Sequence, residues 1–214
     1  MPDTPRIVSD VMSLTVVAVG PDAPFKEIVR TMERWKVSAM PVLEGEGRVI
    51  GVVSEADLLP KEEFRDSDPS FDEQRRRLSD IAKAEAVTAQ QLMSAPAVTV
   101  RADVTLAQAA RIMAVRHIKR LPVVDDEGML QGIVSRADLL KVFLRTDEDI
   151  EDEVRRTVVS YLFPAFSHAI HVNVHEGVVD LRGHVRDASL ISVAVRLARA
   201  VEGVVDVEPH LTQQ

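Results

Sequence analysis

Apolar residues recur along the chain at two spacings, and the spacings come in a repeated order. Val17 and Val19 open a short extended run. Phe25, Ile28, Met32 and Trp35 then recur every three to four residues, which predicts one face of a helix. Two apolar stretches follow, Met40–Leu43 and Val49–Ser54, with a turn at Gly47 between them; they read as a hairpin. A helix opens at Glu55. The same series returns with Val98–Val100, then a helix carrying Leu106, Ala109, Ala110 and Met113 that Thr105 can cap. Strands Leu121–Val124 and Leu130–Ser135 flank a DDEG turn, and a last helix opens at Arg136. Each half reads β-α-β-β-α.

The two halves are copies. Residues 10–59 align with 91–140 without a gap, matching Met12 with Met93, Ser13 with Ser94, Pro41 with Pro122 and Gly51 with Gly132. Both end on the same run, Ser54-x-Ala56-Asp57-Leu58-Leu59 and Ser135-x-Ala137-Asp138-Leu139-Leu140. They differ in charge. Lys119 and Arg120 stand where the first copy has Ser38 and Ala39, and Arg136 stands where it has Glu55.

A charged, glycine-free connector joins the copies. Its part FDEQRRRLSDIAKAEAV predicts a helix with Leu78, Ile81 and Ala82 on one face, and Arg75-Arg76-Arg77 on a solvated face. Beyond Leu144 the pattern changes. TDEDIEDEVRRTVVSYLF predicts a helix with acids in its first turn and Ile150, Val154, Val158 and Leu162 in line, ended by Pro164. AIHVNVHEGVVDLRGHV alternates as two strands around Glu176-Gly177, and a helix closing at Gly203 and a final strand VDVEPHL complete the chain. The expected boundaries are repeat 1 at 1–65, connector at 66–90, repeat 2 at 91–147 and a third domain at 148–214.

Composition narrows the function. The 214 residues contain no cysteine, which excludes disulfides, thiolate nucleophiles and Cys-bound zinc. With aromatics at 4%, the core must be aliphatic. The start, MPDTPRIVSDVM, lacks the basic-then-apolar pattern of a secretory leader, and no apolar run reaches the roughly 18 residues of a membrane span. A cytoplasmic location is therefore expected. A net charge of −8 argues against a nucleic-acid partner. Locally the balance reverses: residues 92–147 carry eight Lys and Arg against six Asp and Glu, whereas residues 1–60 carry six against nine. There is no Gly-rich phosphate loop. His171 and His175 share a strand face with Asn173 but would lie about 13 Å apart, too far to hold one ion. His168 and His184 do not complete a metal set. Neither a catalytic residue nor a metal site is expected.

The conserved endings of the two copies carry chemistry. Ser54 closes a strand and Asp57 lies nearly one helical turn on, so hydroxyl and carboxylate can face one site beside the free N–H groups of a helix start. A carboxylate suits a vicinal diol such as ribose; a hydroxyl with N–H groups suits phosphate. Ser135 and Asp138 repeat the set. The same pairs also serve as a helix cap and first-turn acid, and both readings stand on the residues alone.

Two copies of Met-Ser…Pro-Val…Gly-x-Val-Ser-x-Ala-Asp-Leu-Leu strongly resemble a pair of CBS domains, over about residues 7–145. The resemblance implies an α+β fold in which the two β-α-β-β-α repeats pack as a pseudo-twofold module. It implies up to two clefts for AMP, ADP or ATP, ahead of S-adenosylmethionine, with no cofactor required. Asp57 and Asp138 would hold ribose, with Ser54 and Ser135 beside them. Met40, Pro41, Leu121 and Pro122 would border the base, and backbone at Val17, Ala18, Val98 and Thr99 would read its edge. His117, Lys119 and Arg120, with Arg136 nearby, would face phosphate. The cleft of Asp138 is slightly favoured for the basic pair. A homodimer is implied as well.

The third region, I-x-V-x-V-x-x-G-V-V-x-L-x-G-x-V followed by an Ala/Val-rich helix and V-x-G-V, resembles a BON domain, a small α/β fold associated with phospholipid surfaces or protein contacts. Residues 148–214 carry six basic against eleven acidic residues, which suits an anionic membrane poorly. The expected protein is a non-catalytic sensor of an adenine nucleotide or related adenosyl ligand, with the BON-like unit as its output to an unknown protein partner. The alternatives are a ligand-free scaffold or an adaptor recruited to membranes by the BON-like unit.

Overall fold

A computed structural model of the chain describes residues 7–65, 77–165 and 167–213. The chain divides into two compact units, Ile7–Arg136 and Ala137–Gln214. Arg75, Arg76 and residues 71–74 of the expected connector helix lie outside the described residues.

In the first unit, α1 (Val8–Val11) precedes α2 (Phe25–Trp35), which buries Ile28 and Met32 and leaves Trp35 exposed. Strands β1 (Ala39–Glu44) and β2 (Arg48–Ser54) pair antiparallel, with Pro41 opposite Val52. Two short helices follow, α3 (Glu55–Leu58) and α4 (Pro60–Glu63). The connector contributes α5 (Leu78–Glu85), after which α6 (Ala89–Leu92) starts the second copy. Helix α7 (Leu106–Val115) is capped by Thr105, whose hydroxyl accepts from the Gln108 N–H at 3.2 Å. It buries Leu106, Ala109 and Met113 and exposes Ala110. Strands β3 (Arg120–Val124) and β4 (Leu130–Ser135) repeat the first hairpin, register shift included.

The expected leading strands are reduced to single parallel bridges, Val19 with Val42 and Val100 with Val123. One bridge suffices because each segment only has to add its Val to a core already covered by the hairpin.

The copies interlock by exchange. Ser13 of the first pairs with Ile133 of the second, and Ser94 of the second with Val52 of the first. The hairpin tips also meet, with Val49 N–H donating to the Gly128 carbonyl and Leu130 N–H to that of Gly47. Each Met-Ser segment thus lies on the other copy's hairpin. A Cβ at Gly51 would run into the Met93 side chain; one at Gly132 would stand 2.9 Å from the Met12 sulfur and 3.0 Å from the Ser13 carbonyl oxygen. These glycines are kept because a backbone strand must approach there. Ala86, Ala89 and Leu92 complete the core around Ile28, Met40 and Val53, so the end of the connector belongs to the first repeat's core.

The second unit begins with α8 (Arg136–Leu139, of which Ala137 onward falls here) and a 3-10 turn, Leu140–Leu144. Helix α9 (Asp147–Val154) has Thr146 as its cap and runs through a π turn, Arg155–Val159, into α10 (Ser160–Leu162). Strands β5 (Ile170–His175) and β6 (Val178–Val185) pair antiparallel, and β7 (Asp206–Gln213) joins β6 parallel after α11 (Ser189–Arg199). Valines on alternate positions of β5 point into an aliphatic core with Ile150, Val154, Val158, Leu181 and Ala198. His171, Asn173 and His175 line the exposed face. Both carboxylate oxygens of Asp147 accept turn N–H groups, from Glu176 and Gly177, each at 2.9 Å. Glu176 and Gly177 have φ of 51° and 74°, the geometry of a two-residue hairpin loop. Gly203 does not close α11, which ends at Arg199. It sits where a Cβ would meet the Val142 carbonyl oxygen at 3.1 Å.

Candidate functional site

A cavity of about 240 Å³ opens in the first unit between the two copies. Ser54, Glu55, Ala56 and Asp57 come from the end of the first hairpin and α3. Ser94 and Val98 come from the segment that crosses from the second copy, and His117, Lys119 and Arg120 from the turn between α7 and β3.

Asp57 is 5% exposed. Its Oδ2 accepts both the Ser54 N–H and the Ser54 hydroxyl, at 2.7 Å each. This is the reach-back half of a capping box, and it locks the carboxylate's orientation. Oδ1 is left facing away from the helix start. Lys83 of α5 pairs with Oδ1, and the Ser94 hydroxyl approaches it at 3.4 Å. The helix-cap contacts therefore account for Oδ2 alone.

Just past α7, His117 stands in the left-handed region at φ 55°, as Lys36 does at the end of α2 at φ 53°. The reversal brings Lys119 and Arg120 to the cavity at the start of β3. Arg120 Nη2 donates to the Ser38 hydroxyl at 3.1 Å, across the two copies. Arg136 turns away, its Nε donating to the Ile118 carbonyl at 3.1 Å.

The expected site residues divide accordingly. Ser54, Asp57, Val98, His117, Lys119 and Arg120 line one cavity. The basic pair thus stands with Asp57, the carboxylate that charge patterning favoured less. Met40 and Leu121 are fully buried, with Pro41 and Pro122 beside them in the strands. Val17, Ala18 and Thr99 are half-buried next to the bridging valines, and Ser135 is half-buried at the end of β4. Asp138 belongs to the second unit, where it pairs with Lys141 at 2.7 Å.

Sequence reasoning missed Lys83, Ser94 and Ser38. Ser94 had a signal, since it is the counterpart of Ser13 in the repeated Met-Ser pair. Lys83 had none, being one lysine among many charges in the connector.

The family model of the CBS domain matches residues 8–61 and 89–145. The chain belongs to the CBS-domain family. A BON-domain model matches residues 146–214. The CBS pair is 30% identical over 154 residues to an uncharacterized protein of Methanocaldococcus jannaschii, covering 64% of this chain and 91% of that one. It is 26% identical to the inosine-5'-monophosphate dehydrogenase of the same organism, over 62% of this chain but only 22% of the enzyme. The crystal structure of CBSX2 from Arabidopsis thaliana in complex with AMP superposes with a TM-score of 0.57 at 28% identity, covering 64% of this chain and 96% of that one. Among the described residues no helix is long and apolar enough to cross a membrane.

Proposed function

We propose that this protein is a non-catalytic regulator that binds an adenine nucleotide in the cavity between its CBS repeats. The observation that carries the reading is the pairing, in one cavity, of a buried carboxylate from one copy with a basic lip from the other. Asp57 would accept the two ribose hydroxyls, and Lys119 and Arg120, with His117, would meet phosphate. CBSX2, similar over the whole CBS pair, holds AMP in its crystal structure. The lip favours a phosphorylated ligand over S-adenosylmethionine, whose sulfonium and amine are cationic. The BON domain is the output unit, and a homodimer is the expected assembly.

Calorimetry and thermal melts with adenosine, AMP, ADP, ATP and S-adenosylmethionine test this reading. Saturation at a hundred times Kd should stabilise the CBS pair by about 2.7 kcal/mol. The absence of heat and of any melting shift with all five would defeat it and favour the scaffold. Flotation with anionic liposomes separates the adaptor alternative, and light scattering reads the assembly.

A further inference from the structure

Helix α5, the connector between the repeats, buries none of its eight residues, and Leu78 at its start is 67% exposed. A helix this short does not persist without tertiary support, which ordinarily comes from an apolar face. Here Ile81 and Ala84 are only half-buried, and several polar contacts add to the hold. Arg77, just before the helix, pairs with both oxygens of Glu63 and holds Asp80 at 2.9 Å. Lys61 Nζ donates to the Ala84 carbonyl at 2.7 Å. Lys83 pairs with Asp57. The Arg77 contacts are substantially exposed and each contributes little. The Lys83–Asp57 pair is different, with side chains only 22% and 8% exposed, and solvent screens it least. It is the least exposed of the ion pairs that hold the helix. At the far end Ala86 is buried in the core, so the helix is tethered there whatever Lys83 does.

The Lys83 ammonium occupies Oδ1, the oxygen of Asp57 that the capping contacts leave available. The geometry points to a ligand-displaceable strap: Lys83 holds the place of the ribose on Asp57, and a nucleotide with a free vicinal diol takes that place and releases α5. This inference rests on the nucleotide reading of the cavity and adds what the binding moves. The Ser54 N–H and hydroxyl stay on Oδ2 throughout, so the carboxylate keeps hydrogen-bond donors when the partner on Oδ1 changes. Ammonium and diol compete for the same oxygen, so a diol bound there weakens the hold of Lys83. Occupancy of the cavity thereby becomes detachment of a charged surface helix, a shift between two arrangements that the ligand binds unequally.

Hydrogen exchange on the full chain, followed by mass spectrometry of residues 78–85, tests the strap. Without nucleotide, Lys83→Met and Asp57→Asn should each speed exchange there at least about tenfold, and Lys83→Arg should keep it slow. Adding AMP to the wild type should speed exchange in 78–85, whereas 2′,3′-dideoxy-AMP at saturation should not. Lys83→Met should bind AMP about tenfold more tightly, having lost its competitor. Unchanged exchange in both variants overturns the strap, as does weaker AMP binding by Lys83→Met, which would make Lys83 a ligand contact. AMP binding by the wild type with 78–85 unmoved overturns the strap and leaves the nucleotide reading standing. AMP binding by neither wild type nor Lys83→Met removes both.

Discussion

Arg120 of the second repeat donates to the hydroxyl of Ser38 in the first, at 3.1 Å. Ser38 is the counterpart of Lys119, so the lip where the copies meet is basic from one side and neutral from the other. A duplicated unit with both basic pairs would bring cations face to face there. Ser38→Lys restores the second repeat's residue and tests the point. Like charges about 4 Å apart repel by about 1 kcal/mol when fully solvated, which sets the lower bound for a half-exposed pair. The variant should melt about 2–4 °C lower at low salt, and the loss should shrink at 1 M salt, where the screening length falls to roughly 3 Å. A loss independent of salt would point to steric fit and not charge.

The lip should discriminate phosphate from sugar. Arg120→Ala should weaken ATP by about 1.5 kcal/mol, as expected for one charge-assisted contact. The exposed Lys119→Ala should cost less, about 0.5–1 kcal/mol. Neither should alter adenosine binding. Titration calorimetry with both ligands decides, and an equal loss for adenosine would remove the phosphate role.

The interlock of the copies predicts a coupled pair. Gly51→Ala should destabilise the CBS pair by about 1–3 kcal/mol, because the new methyl meets the Met93 side chain. The double variant with Met93→Ala should lose less than the sum of the two single losses. Gly132→Ala should be rescued less by Met12→Ala, since the Ser13 carbonyl oxygen, a backbone atom, also stands in the way. Urea unfolding measures all six variants, the four single and the two double, and strict additivity at Gly51 and Met93 would contradict the contact.

Asp147 fastens the β5–β6 turn to the start of α9 through two N–H groups. Asp147→Asn leaves a single acceptor for two donors. The BON domain should lose about 1–2 kcal/mol, with faster hydrogen exchange at Glu176 and Gly177 and unchanged exchange in β1–β4. Slow exchange at the turn in the variant would show that it is held by its own geometry.

Much of this was legible before folding was considered. The helices carrying Ile28 and Met32, or Ala109 and Met113, and all four hairpin strands follow from local periodicity, because burial on one face of an element imposes its own period on the residues. The Thr105 cap and the Glu176-Gly177 turn were equally local. The leading strands are shorter than the pattern predicts. Apolar alternation at Val17–Val19 and Val98–Val100 reflects partial burial beside a hairpin, and only one bridge forms in each. The pattern makes Gly203 a helix stop, whereas it permits a close backbone approach, a difference that depends on a neighbour distant in sequence.

The site shows the division most clearly. Duplication and the repeated Ser-x-x-Asp were enough to nominate Ser54 and Asp57, since a capping carboxylate needs only a three-residue spacing. Which carboxylate faces the basic lip was decided by tertiary packing. The segment that crosses between the copies places Ser94 on Asp57 from 37 residues away, the connector helix places Lys83 there from 26 residues away, and the meeting of the copies sets Arg120 against Ser38 across 82 residues. No local period encodes such pairings. They arise from the packing of the connector and of the two copies, and a charge has no partner until packing chooses its neighbour.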